Sequence, residues 1–200
     1  MYSGIMSIGY TNIRHRKDKR MNYKDILNQY LYESDRQIKE RAREINPSDY
    51  NENRDLINEI VLWKLNRSVQ IQDETIKKIH SLKDRIHHPL EAVDSIEVET
   101  VVIELLESKG IKVAMASTIL HFYYPDIFPI IDQRAYRELI GEELPEYHGK
   151  DKNKKYMELY LDYLEKCYKF NTDILPEAEF EYIDKILYQL DKDKNNKVKY

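Results

Sequence analysis

One cysteine, one tryptophan, five glycines and six prolines are spread over 200 residues. A lone cysteine, Cys167, excludes an internal disulfide and fits a reducing compartment, so the cytoplasm is the expected location. Few glycines and prolines mean few turns. With 34% charged and 42% hydrophobic residues, that scarcity points to an all-α chain with enough apolar material for a core. No apolar run reaches the length that a bilayer crossing requires. The N-terminus has no basic segment ahead of a long apolar one, so it does not read as a secretory signal, and no membrane partner is expected. Positive charge is not in excess either. The net charge is −4, so no global field draws in nucleic acid. Six basic residues against three acids between Val61 and Leu90, followed by six acids against one lysine up to Lys109, make a weak local asymmetry.

What the chain has is helical periodicity and seventeen tyrosines, a content that suits half-buried helix faces with wet edges. Residues 1–20 have no period and end in a basic run at 14–20, which reads as a flexible basic leader, with Met21 as an alternative start. A long helix is expected over 23–45, with Leu27, Tyr30, Leu31, Ile38, Ala42 and Ile45 on its apolar stripe. A second is expected over 55–67 with Leu56, Ile60 and Trp63 inward. Asp73 should cap a short helix through Leu82 with Ile76 and Ile79 buried. The stretch 84–94, with His87-His88-Pro89, reads as a surface loop and not as a metal site, because adjacent histidines point apart. An amphipathic helix is expected over 151–170 with Tyr156, Tyr160, Tyr163, Leu164 and Cys167 on one face. A last helix, with Pro176 in its first turn, should reach about Leu190. Residues 191–200 read as a frayed tail, so one domain is expected over 21–190.

The most informative stretch is 107–139. Val98, Val101, Val102, Leu105 and Leu106 recur at helical spacing, and Gly110 then supplies the left-handed residue that ends a helix. Val113, Ala116, Leu120 and Phe122 resume the pattern, while Ala114, Ala116 and Ser117 keep the start of the second helix slim. Two helices joined by so short a turn form a helix-hairpin-helix unit, whose backbone N–H groups can grip a phosphate. Pro125-Asp126 breaks the helix. The run Phe128-Pro129-Ile130-Ile131 is too apolar for an exposed loop, and it delivers Asp132 to the start of the next helix. A plain N-cap is one reading of Asp132.

Gly110, Ile111, Ala116, Ser117, Leu120, His121, Phe122, Pro125, Asp126, Phe128, Pro129, Ile130, Asp132 and Arg134 together resemble the core of the helix-hairpin-helix DNA glycosylase superfamily. The nearest likeness is to bacterial relatives of its 8-oxoguanine members, and the run Trp63–Arg67 resembles a feature of the same group. The resemblance spans 50–190. It implies a DNA partner gripped by Gly110, Ile111, Lys112 and Val113, with Arg134, Lys64 and Arg67 as phosphate ligands and Arg134 alternatively in a salt bridge. It implies Asp132 as the carboxylate that stabilises an oxocarbenium-like sugar and orients water. Trp63, His121 and Tyr124 would wall a pocket for an extruded base; core packing is the competing reading of Trp63 and Tyr124, and a hydrogen-bonded, partly buried histidine that of His121.

The chain departs from the superfamily in three ways. Lys112 replaces the second hairpin glycine. Ala114 stands where bifunctional members carry a nucleophilic lysine, so Lys112 is the substitute candidate, and a hairpin-tip lysine is normally solvated. A four-cysteine iron–sulfur cluster cannot form. No other cofactor is implied except a monovalent cation on the hairpin carbonyls. The expectation is a monofunctional, DNA-repair N-glycosylase, a hydrolase. The alternative is a helical nucleic-acid-binding or protein-interaction module that keeps the fold without the chemistry. Neither the oligomeric state nor the target base follows from the sequence.

Overall fold

Helix boundaries follow from capping chemistry throughout. In the computed structural model, which describes residues 36–65 and 69–194, the helices among the described residues are α1 (Arg36–Glu44), α2 (Tyr50–Lys64), α3 (Asp73–Ser81), α4 (Pro89–Val93), α5 (Ile96–Glu107), α6 (Val113–Tyr123), α7 (Gln133–Ile140), α8 (Lys152–Ile174) and α9 (Ile183–Asp193). Short 3₁₀ turns, Leu82–Asp84 and Phe180–Tyr182, follow α3 and precede α9. The all-α expectation holds. Among the described residues, extended pairing is limited to one isolated bridge, Gln70 with Lys109. No described helix is long and apolar enough to cross a membrane.

The chain forms two compact units, 1–67 and 68–200, where one domain over 21–190 was expected. In the first unit α1 ends near the Asn46-Pro47 break, as expected. The leader 1–20, the 23–35 part of the anticipated long helix and Arg67 lie outside the described residues. The second helix begins at Tyr50, five residues earlier than expected, because the Asp49 carboxylate caps it by accepting from the N–H groups of Asn51 and Glu52. Leu56 is buried and Trp63 half-buried, but Ile60 is exposed. Arg41 and Glu59 join α1 to α2 at 2.5 Å.

The second unit is built around α8, which packs against α4, α5, α6, α7 and α9. Its face of Tyr160, Tyr163, Leu164 and Cys167 is sealed, as the 3-and-4 spacing predicts. Burial pushes the Cys167 thiol out of its ordinary range, so it behaves as a small hydrophobe. Val98, Val101, Val102 and Leu105 of α5 complete the core, and α5 is capped by Ser95.

Several expectations need correction. Asp73 sits in the first turn of α3 with Gln72 at the cap position, and Thr75 is buried where Ile76 was expected. The 84–94 loop contains α4, with Pro89 in its first turn and the His88 ring accepting from the Leu90 N–H. The other His88 nitrogen meets the Tyr168 hydroxyl at 3.2 Å. Pro176 lies in a turn outside any helix. Phe122 is 80% exposed, so it does not share the buried face of Leu120.

The frayed tail is also corrected in part. α9 continues to Asp193, and Asp191 has no exposed surface. Arg137 grips its carboxylate with Nε at 2.8 Å and a terminal nitrogen at 2.7 Å, and Arg134 reaches it at 3.0 Å. A carboxylate this buried is tolerated because two guanidiniums neutralise it. Residues 195–200 lie outside the described residues.

Candidate functional site

The backbone approaching Asp132 is braced by side chains at four consecutive residues. Phe128 and Ile131 are sealed and Pro129 is buried, so their polar backbone groups need partners away from water. Four side chains supply them. His121 donates its Nδ1–H to the Phe128 carbonyl at 2.9 Å. Tyr160 donates to the Pro129 carbonyl at 3.1 Å and Tyr163 to the Ile130 carbonyl at 3.2 Å. Ser117 Oγ accepts the Ile131 N–H at 3.1 Å. α6 and α8 thus hold four consecutive residues, and the next is Asp132.

Asp132 is half-buried in extended backbone geometry and caps α7. Its Oδ1 accepts from the N–H groups of Arg134 at 2.7 Å and Ala135 at 2.8 Å. Among the described residues nothing donates to Oδ2. The carboxylate also acts on Tyr163. Burial, then Cys167, and then the Asp132 charge raise that hydroxyl well above the usual phenol range, so Tyr163 stays a neutral donor.

Beside α7 lies a cleft of about 510 Å³. One wall is Leu106 with the hairpin from Ile111 to Ala114, a second is Gln133, and the rest is the connector 144–149 with Lys152, Asn153 and Tyr156 at the start of α8. Gly110 takes the expected left-handed conformation with φ 84°. Lys112 is at the N-cap position of α6 and gives no side-chain cap, and the first helical bond is Ala116 N–H to the Lys112 carbonyl. N–H groups of the first turn therefore lie at the cleft edge.

The structure assembles some predicted residues and separates others. Ile111, Lys112 and Val113 line the cleft together with Gln133, whereas Gly110, Asp132 and Arg134 are not among its lining residues. Lys112 is exposed, as expected for a hairpin-tip lysine. Arg134 takes the salt-bridge option, paired with Asp191 and stacked 5.5 Å from the centre of the Tyr188 ring. Of the side chains proposed for a base pocket, His121 and Tyr124 do not line this cleft. His121 is buried and braces Phe128, and Tyr124 donates to the Ile79 carbonyl at 2.6 Å. Trp63 and Lys64 belong to the first unit.

No family model, curated protein or solved structure matches this chain. The reading of the cleft therefore rests on its own chemistry. At the hairpin the carbonyls of Ser108, Lys109 and Lys112 accept the N–H groups of Ile111, Gln70 and Ala116.

Sequence reasoning missed Ser117, Tyr160 and Tyr163 as braces, and it passed over the connector. Pro145, Tyr147 and His148 in a nine-residue polar link were the available signal, since an aromatic in such a link needs a reason to be there.

Proposed function

We propose that the second unit is a DNA-binding, N-glycosylase-like hydrolase acting on a damaged or extruded base. The single observation that carries this reading is the Asp132 carboxylate. One oxygen is committed to the α7 cap and the other is unclaimed among the described residues, while the backbone leading to it is held by four side chains. A carboxylate fixed this way can face a developing sugar cation without reorganising, which is the condition for electrostatic stabilisation. Its unclaimed oxygen can also orient a water. The hairpin edge offers N–H groups for a strand phosphate. Lys112 has the exposure of a solvated ammonium and not the burial that makes an amine nucleophilic, so strand cleavage is not part of the proposal. A single, buried cysteine suits work in a reducing cytoplasm.

The test is a panel of damaged-base duplexes incubated with the native chain and with Asp132→Asn. Asparagine caps a helix about as well as aspartate, so the variant should fold and bind but release no base. Equal release by both, or none by either across the panel, overturns the enzymatic reading. Borohydride trapping on abasic DNA should give no covalent adduct.

One observation favours a second reading, a binding module without chemistry. His121 and Tyr124 do not wall the cleft and are each engaged elsewhere. In that case affinity should fall steeply with salt while bases stay attached.

A further inference from the structure

The connector cleft has a wall chemistry of its own. Tyr147 and Tyr156 meet edge to face with ring centres 4.9 Å apart. The Tyr156 hydroxyl accepts the Tyr147 N–H at 3.0 Å, which fixes the connector to α8. Lys155 sits over the Tyr147 ring at 5.9 Å. Leu144 and Pro145 extend the apolar side, and Lys112 and Lys152 are the lysines among the lining residues. Glu146 is the acid among the lining residues. Lys150, Lys152, Lys154 and Lys155 are all exposed within six residues at this edge of the cleft, and Lys154 pairs with Glu158 at 3.7 Å. A flat apolar surface edged with cations suits an aromatic ring bearing a phosphate. A lysine row longer than one phosphate needs suits several phosphates in series.

We propose that this cleft holds one nucleotide of a single-stranded nucleic acid, its base against Tyr147 and its backbone along Lys112 and Lys152. This rests on the nucleic-acid part of the proposed function and adds the surface and the strand state that it recognises. It also moves the base wall from Trp63 and Tyr124 to the 144–149 connector. Stacking tolerates any base, because every base has a π-face, so little sequence preference is expected.

The experiment uses the full chain and an oligonucleotide containing 2-aminopurine, whose fluorescence falls on stacking. The native chain should quench it, and Tyr147→Phe should match the native chain. Tyr147→Ala should weaken binding roughly 5- to 150-fold. Tyr147→Leu keeps bulk without a ring and should behave like the alanine variant, which separates stacking from misfolding. Lys152→Ala should lower the salt slope of binding by about one. The free 2-aminopurine nucleoside monophosphate should bind more weakly than the strand, and equal affinity overturns the strand assignment. Unchanged quenching in Tyr147→Ala and Tyr147→Leu, or no quenching by the native chain, overturns the base wall. The two proposals fail separately. Tyr147-dependent quenching with no base release leaves this site standing without the glycosylase. Base release by a chain whose Tyr147 variants bind normally leaves the glycosylase without this site.

Discussion

Ser117 Oγ accepts the N–H of Ile131 across fourteen residues, at 3.1 Å, while donating to the Ala114 carbonyl at 2.9 Å. The first turn of α6, which edges the cleft, is thereby tied to the residue before Asp132. Ser117→Ala would leave a sealed N–H with no acceptor. The expected cost is about 1–3 kcal/mol, read as a lower urea midpoint with an unchanged slope. A loss well under 0.5 kcal/mol would mean that the Ile131 N–H finds water.

Asp191 should matter out of proportion to its place near the end of the described chain. Asp191→Ala removes the carboxylate that Arg134 and Arg137 share, leaving Arg137 its second partner Glu143 at 2.9 Å, and a loss of up to about 3–5 kcal/mol is expected by chemical denaturation. Arg134→Ala should lower stability but leave the salt slope of nucleic-acid binding unchanged. A slope smaller by about one would return Arg134 to the phosphate ligands.

Asp184 gives a pH prediction. Its carboxyl is buried, with one oxygen lacking a hydrogen-bond partner among the described residues. Burial raises it above the ordinary 3.8, against the opposing pull of His121 and, more weakly, Lys185. Cys167, Tyr160 and Tyr163 feel its charge from α8. A carboxyl raised in the folded state holds its proton more tightly there than when unfolded. Its contribution is therefore fully favourable below the unfolded value and is lost as pH climbs through the folded one. Asp184→Asn should remove that dependence. Its stability relative to the native chain should rise between about pH 4 and neutrality, as followed by thermal melts at stepped pH. A constant difference across that range would refute the assignment.

Asp132 separates capping from chemistry. Asp132→Ala should cost about 1 kcal/mol and Asp132→Asn close to nothing, measured by denaturation, whereas both should abolish base release. If Asp132→Asn destabilises as much as alanine, the charge at the start of α7 matters more than the cap geometry.

Much of this unit was legible in the residues. The spacing of Val98, Val102 and Leu105 marked α5, Gly110 marked the turn, and the apolar run 128–131 marked a buried approach to Asp132. The braces were not legible. Tyr160 meets Pro129 from thirty-one residues away, and no local period carries a side-chain bond to a distant carbonyl. Asp191 was hidden differently. A charged, Asn-rich stretch normally stays solvated, and only the two arginines of α7, more than fifty residues earlier, make burial tolerable there. Helix starts were missed where the cap was an unremarked polar residue, Asp49 or His88.

The α7–α9 lock has a practical side. Trimming the protein at Leu190 would look harmless from its hydrophilic ending, yet it would strip the shared counter-ion from Arg134 and Arg137. Since Arg134 lies two positions past Asp132, a cut at the far end of the polypeptide would be felt first by the acid that any base-release assay depends on.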